Sequence, residues 1–308
     1  MRRSVFLLLL AGLVLNARVW GADLALPLKP RSVRFAVIGD SGTGERPQYE
    51  VAQQMAKIRE NFSFDFVVML GDNLYGGESA ADYKRKFEEP YKPLLDAGVK
   101  FYASLGNHDN PNQRFYKPFN MGEKRYYNFK KGSAEFFALD SSYMDPDQLD
   151  WLKKRLSDSQ ADWKICYFHH PLYSDGRYHG SDIDLRARLA PIFETSGVKV
   201  VLSGHEHVYE RIKPQNGIHY FVLGNSGELR LHNLRPSAMM AKGFDTDRTF
   251  MLVEISGDEF YFQAISRTGE TVDSGTIELH MKSTQHRSPN GRGLQNRDRQ
   301  GAVFCSIC

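Results

Sequence analysis

The chain alternates short, nearly continuous apolar runs with stretches in which apolar residues recur every three or four positions. Runs at "VRFAVIGD" (33–40), "FDFVVMLGD" (64–72), "VKFYASLGNHD" (99–109), "AEFFALDS" (134–141) and "WKICYFHHP" (163–171) predict β-strands. So do "VKVVLSGHEH" (198–207), "IHYFVLGN" (218–225), "FMLVEIS" (250–256) and "FYFQAIS" (260–266). Most lack polar alternation, which predicts strands covered on both faces. "PQYEVAQQMAKIREN" predicts a helix, with Pro47 in its first turn and Val51, Met55 and Ile58 at helical spacing. "DPDQLDWLKKRLSDS" predicts another, with Asp145 as cap, Pro146 after it, and Leu149, Leu152 and Leu156 on one face. Strands alternating with helices, followed by strands alone, predict a layered α/β domain with a mixed sheet system. There is no internal repeat and no interior linker.

The two ends break this pattern. "MRRSVFLLLLAGLVLNARVWGA" has two arginines, an apolar run from Val5 to Leu15 and small residues near Gly21, which predicts a signal peptide over residues 1–21. The apolar run is too short for a membrane span of about 20 residues. From Lys282 the chain turns polar and Gly/Pro-bearing, predicting a basic, disordered tail over 282–308. The formal charge of +3 equals the contribution of Arg2, Arg3 and Arg18. The tail carries five cations against Asp298, a net +4, so the body between is near −4. The basic charge is therefore terminal and argues against nucleic-acid binding. Three cysteines give no disulfide framework: Cys166 falls in an apolar strand as a buried thiol, and Cys305 and Cys308 end the chain as "CSIC". The expectation is one domain over 30–281 in a secreted or periplasmic, monomeric protein that does not insert into a membrane once its leader is removed.

The polar residues gather where the apolar runs stop. Strand 33–40 ends in Asp40, and strand 64–72 in Asp72, followed by Asn73 and Tyr75. The others end in Asn107, His108 and Asp109, in His169 and His170, and in His205 and His207. Ligands of open α/β sheets bind at the carboxyl ends of strands. Asp40, Asp72, Tyr75, Asn107, one of His169 and His170, His205 and His207 make seven donors. That is more than one ion uses and suits two ions sharing a bridging carboxylate. Oxygen donors with imidazoles suit iron, manganese or zinc.

In these blocks, "GDSG", "GDNLY", "GNHD", "HHP" and "GHEH", the chain resembles the calcineurin-like metallophosphoesterases. The resemblance spans about residues 33–280 and implies an α/β sandwich of two mixed sheets flanked by helices. Tyr75, three residues after Asp72, and "GHEHVYER" resemble the purple acid phosphatase branch, in which a tyrosinate binds a ferric ion and gives the colour. The single catalytic domain resembles the small, tartrate-resistant type. The resemblance implies that Asp40, Tyr75 and His207 bind the ferric ion. Asn107, His169 and His205 would bind the second, Fe(II), Zn(II) or Mn(II), with Asp72 bridging. It selects His169 over His170 because the family's ligand stands two before the proline.

Two cations about 3.5–4 Å apart neutralise a phosphate ester and acidify bound water, so a metal-bound hydroxide is expected to attack phosphorus. His108 and His179 are the candidates for contacting phosphate or protonating the leaving group. Asp109 is expected to hold His108 or its loop, and Glu206 to point away from the ligands. His170, His219 and His232 are expected to pack or lie at the surface, and Tyr143, Tyr173, Tyr178 and Phe244 are candidate pocket walls. The expected activity is a phosphomonoesterase acting on a small-molecule phosphate ester. The alternatives are a phosphodiesterase of the same chemistry and a non-catalytic metal- or phosphate-binding protein.

Overall fold

The computed structural model describes residues 24–279. The leader, the tail, Cys305 and Cys308 lie outside the described residues. Among the described residues thirteen strands form two sheets. The first holds β1 (Val33–Ile38), β2 (Phe66–Met69), β3 (Lys100–Ala103), β11 (Thr249–Ser256), β12 (Glu259–Ser266) and β13 (Thr271–Glu278), in the order β13-β12-β11-β1-β2-β3. The second holds β4 (Tyr127–Lys131), β5 (Ala134–Ala138), β6 (Trp163–Tyr167), β7 (Val200–Ser203), β8 (Tyr209–Gln215), β9 (Ile218–Leu223) and β10 (Met240–Phe244). Its order is β10-β8-β9-β7-β6-β5-β4. Both are mixed: β1, β2 and β3 run parallel in one, β5, β6, β7 and β9 in the other, with antiparallel strands outside them.

All nine apolar runs form strands. The four strands that the apolar pattern did not mark, β4, β8, β10 and β13, carry polar or charged residues along their length, and three of them are sheet edges. An edge strand leaves backbone groups to solvent and is guarded by charge rather than filled with apolar side chains.

The sheets face each other across an aromatic layer. Phe35 of β1 stacks on Phe66 of β2 at 5.1 Å, and both meet Phe136 of β5 edge-on, at 5.2 and 5.4 Å. Phe221 of β9 meets Phe262 of β12 at 5.0 Å. Helix α1 (Arg46–Arg59) buries Val51, Met55 and Ile58 as their spacing predicts and lies against β11. Short helices α2 (Ala80–Tyr83) and α3 (Lys92–Asp96) lie on the β2–β3 crossover. Helix α4 (Pro146–Asp158) starts at Asp145, whose carboxylate accepts from Gln148 N–H at 2.8 Å. It contacts α5 (Ile183–Ser196), and both cover the outer residues Phe137, Cys166, Phe168 and Val201 of the second sheet. Cys166 is a buried thiol, as its place in an apolar strand suggests.

The chain is docked before residue 30. Leu26 is buried, Ala25 N–H donates to Gln263 Oε1 at 2.9 Å, and Leu28 N–H to Glu254 Oε2 at 2.8 Å. Among the described residues no helix is long and apolar enough to cross a membrane.

Candidate metal centre

Register brings the polar turns to one edge. Ile38 pairs with Met69 and Met69 with Ala103, so β1, β2 and β3 end level; Tyr167 of β6 pairs with Leu202 of β7 in the other sheet. The residues just beyond these ends bend sharply. Asp40, Asp72 and His205 have positive φ, 51°, 49° and 69°, a region L-residues seldom adopt. The bends turn their side chains across the gap between the sheets.

All seven expected donors meet there, in two groups. Tyr75 Oη lies 3.2 Å from Asp40 Oδ1 and 3.2 Å from His207 Nε2, and His207 Nε2 lies 3.3 Å from Asp40 Oδ1. In the other group, His169 Nε2 lies 2.9 Å from Asn107 Oδ1 and 3.0 Å from His205 Nδ1. Asp72 stands between them: its Oδ1 is 3.5 Å from His169 Nε2, and a carboxylate oxygen clusters with Asp40 and His207. Three residues are fully or almost fully buried, Asp40, Asp72 and His169, while Asn107 is exposed.

The donor chemistry fits cations. Burial, reinforced by Asp72, holds the Asp40 carboxyl well above the usual range, and burial raises Asp72 as well. Burial, then Asp40, pushes the Tyr75 phenol far up. Burial also drives His169, His205 and His207 toward the neutral imidazole that coordinates metal. His169 Nδ1 lies 3.0 Å from Leu70 O, a contact that uses its N–H and turns the Nε2 lone pair inward. As anions the two buried carboxylates repel each other, which is part of what raises Asp40, and positive charge held between them and the imidazole nitrogens removes that conflict.

Neighbours support these side chains. His205 N–H donates to Asp40 Oδ2 at 2.9 Å and His108 N–H to Asp72 Oδ1 at 3.0 Å. Asp109 holds its loop, accepting from Gly106, Asn73 and Leu74 N–H and from Gln113 Nε2, and burial raises its carboxyl to about 8. Two glycines clear the approach. A Cβ at Gly106 would lie 2.1 Å from Asp72 Oδ1, and one at Gly204 would lie 2.4 Å from Asp40 Oδ2.

The candidate catalytic histidines each contact a different donor group and are exposed. The His108 ring lies 5.0 Å from Tyr75, and the His179 ring covers His205 at 3.8 Å. His170 belongs to the cluster rather than to plain packing or surface: its ring is 4.4 Å from His205, and one nitrogen groups with those of His169 and His205. Its Nδ1 lies 2.9 Å from Ser141 Oγ. Adjacency in "FHHP" was the available signal. His219 is half-buried on β9 and His232 is exposed. Glu206 points away from the donors, accepting from His179 and Gly180 N–H and from Asn233 Nδ2. Of the four candidate walls, Tyr178 meets His179 at 4.5 Å. Tyr173 packs on Tyr220, Tyr143 lies by Arg125, and Phe244 joins the core. Glu228, with no motif of its own, donates its backbone N–H to Asp40 O at 3.0 Å.

The family model described as calcineurin-like phosphoesterase matches residues 33–209. Tartrate-resistant acid phosphatase type 5 of Mus musculus is 26% identical over 292 residues, covering 78% of this chain and 89% of its own. Purple acid phosphatase 17 of Arabidopsis thaliana is 30% identical over 233 residues, covering 64% and 68%. Among solved structures, a purple acid phosphatase from yellow lupin seeds superimposes with a TM-score of 0.68 at 18% identity, covering 80% of this chain and 54% of its own. GAP50, the anchor in the inner membrane complex of Plasmodium, superimposes at 0.73 with 22% identity, covering 82% and 90%. The matched segment takes in Asp40, Asp72, Tyr75, Asn107, His169, His205 and His207, and more than half of the sequence: this chain belongs to the calcineurin-like metallophosphoesterases.

Proposed function

We propose that the chain is an exported acid phosphatase that hydrolyses small-molecule phosphate monoesters with two metal ions. The observation that carries this reading is the meeting of seven donors, drawn from both sheets, in two groups with Asp72 between them. Asp40, Tyr75 and His207 would hold ferric iron. Asn107, His169 and His205 would hold ferrous iron, zinc or manganese, and Asp72 would touch both. When bound, such ions neutralise the phosphoryl charge and activate water.

The chain's own residues do the rest. Backbone N–H groups of His205 and His108 hold Asp40 and Asp72, and Leu70 O orients the His169 ring. His108 and His179 take the roles of contacting the phosphate and of giving a proton to the departing oxygen; both are exposed at the rim where an ester arrives. Relatives named acid phosphatases support the monoester over the diester, and the leader pattern of residues 1–21 supports export. Parallel assays of p-nitrophenyl phosphate and its bis-ester test the reading. Faster turnover of the monoester is expected. Preference for the bis-ester would make the protein a diesterase, and turnover of neither would make it a binding protein.

A further inference from the structure

Beside the seven donors, two loops are joined edge to edge. Segments 174–181 and 228–235 share an antiparallel bridge between Gly176 and Leu234. Arg177 N–H donates to Asn233 O and Arg235 N–H to Asp175 O, each at 2.9 Å. The buried Glu206 carboxylate ties both loops to the strand end below, through His179 and Gly180 N–H on one side and Asn233 Nδ2 on the other. Gly176 permits this: a Cβ there would lie 2.6 Å from either carboxylate oxygen.

These bonds fix where Arg230 and Tyr178 meet. The Arg230 guanidinium carbon lies 3.4 Å from the centroid of the Tyr178 ring. Tyr178 meets His179 edge-on at 4.5 Å, and His179 lies over His205 at 3.8 Å. Arg230 N–H donates to His207 O at 3.0 Å, so the side chain starts from the back of the donor cluster. Yet the guanidinium has no anion. Among the described residues it makes no hydrogen bond or ion pair, and its Nε is shut off from solvent without an acceptor. Leaving a buried donor unpaired is costly.

We propose that Arg230 on its Tyr178 platform is a subsite for a second phosphate on the substrate's leaving portion, so that this chain favours bisphosphorylated esters over singly phosphorylated ones. The inference rests on the donors being a phosphoester-hydrolysing centre. A guanidinium suits a phosphate because its charge is permanent and its planar donors match two oxygens at once. Stacking fixes its plane before the ligand arrives, and the terminal Nη groups, which have no acceptor among the described residues, are the donors an incoming oxyanion meets. Two rings, Tyr178 and His179, separate it from His205, so it meets a group one spacer away from the ester under attack.

Fructose 1,6-bisphosphate and fructose 6-phosphate differ only in that second phosphate, and the metal-loaded full protein is assayed with both. Arg230→Gln is expected to lower kcat/KM on the bisphosphate by roughly ten- to a hundredfold, through KM, and to change the monophosphate little. Tyr178→Leu, at a 61% exposed position, should lower the ratio of kcat/KM on the bisphosphate to that on the monophosphate, whatever it does to both through His179, and serves if the arginine variant does not fold. Equal losses on both substrates, or no loss on either, would overturn the subsite. Should wild type hydrolyse neither ester, turnover of p-nitrophenyl phosphate decides the proposed function separately, and calorimetric binding of the bisphosphate to wild type and Arg230→Gln still decides this inference. Weaker binding by the variant supports it, and equal binding refutes it.

Discussion

Asp40, Asp72 and His205 share a left-handed backbone that costs about 1–3 kcal/mol at each residue. The surrounding bonds overcome that cost, and the return is three side chains thrown across the gap between sheets. Gly106 packs directly against one of these side chains. Gly106→Ala places a methyl against Asp72 Oδ1 and its backbone nitrogen, at 2.1 and 2.3 Å, so Asp72 must move. The expected outcome is a loss of about 1–3 kcal/mol of stability, read by chemical denaturation, together with reduced metal content. His108→Ala and His179→Ala should behave oppositely, retaining metal while kcat falls by roughly a hundredfold or more. Metal analysis beside steady-state kinetics separates the two classes. At this scale the donors were legible because carboxylate, amide, phenol and imidazole all follow apolar runs. The loop pairing that presents Arg230, and the place of His170, were not, because neither follows from residue type or spacing.

Elements with apolar cores announce themselves, and those at the periphery do not. Strand β8, "YERIKPQ", reads as polar, yet Tyr209 and Glu210 are wholly buried. Glu210 accepts from Ser174 Oγ and from Asp175 N–H, at 2.8 Å for the latter, and so anchors the loop that leads to Tyr178. A buried acid inside a strand is invisible to hydropathy. Helix α5 escaped for another reason: Pro191, which reads as a breaker, lies inside it. Burial raises the Glu210 carboxyl from its ordinary 4.5 to about 7. A raised acid favours the folded state below pH 4.5, and that advantage disappears as pH rises through about 7. The difference is on the order of 3 kcal/mol. Glu210→Gln should therefore gain stability relative to wild type between pH 5 and pH 8, as measured by urea unfolding at both. A difference that does not change with pH would refute the assignment.

The whole molecule works as two sheets clamped on an aromatic layer, with the donor set straddling their common edge. Neither sheet holds the site alone, since Asp40, Asp72, Tyr75 and Asn107 follow strands of one and His169, His205 and His207 follow strands of the other. The apolar runs foretold the layers, but no hydropathy pattern announced the bonds that residues 25–29 make to the first sheet. Residues 24–29 precede the expected start at 30 yet supply donors to Glu254, which is fully buried and only 3.4 Å from Arg34. A form beginning at residue 30 keeps Ser32 Oγ and Arg34 Nε on Glu254 but loses the Leu28 and Lys29 N–H bonds, so it should melt lower than one beginning at residue 22, by roughly 1–3 kcal/mol for hydrogen bonds to a buried charged group. Thermal unfolding of the two compares them directly. The measurement closest to the central claim is metal content set against turnover of p-nitrophenyl phosphate. Two ions per chain, with activity that vanishes on chelation and returns with metal, is the predicted result. One ion per chain, or turnover undiminished in metal-stripped protein, would contradict it.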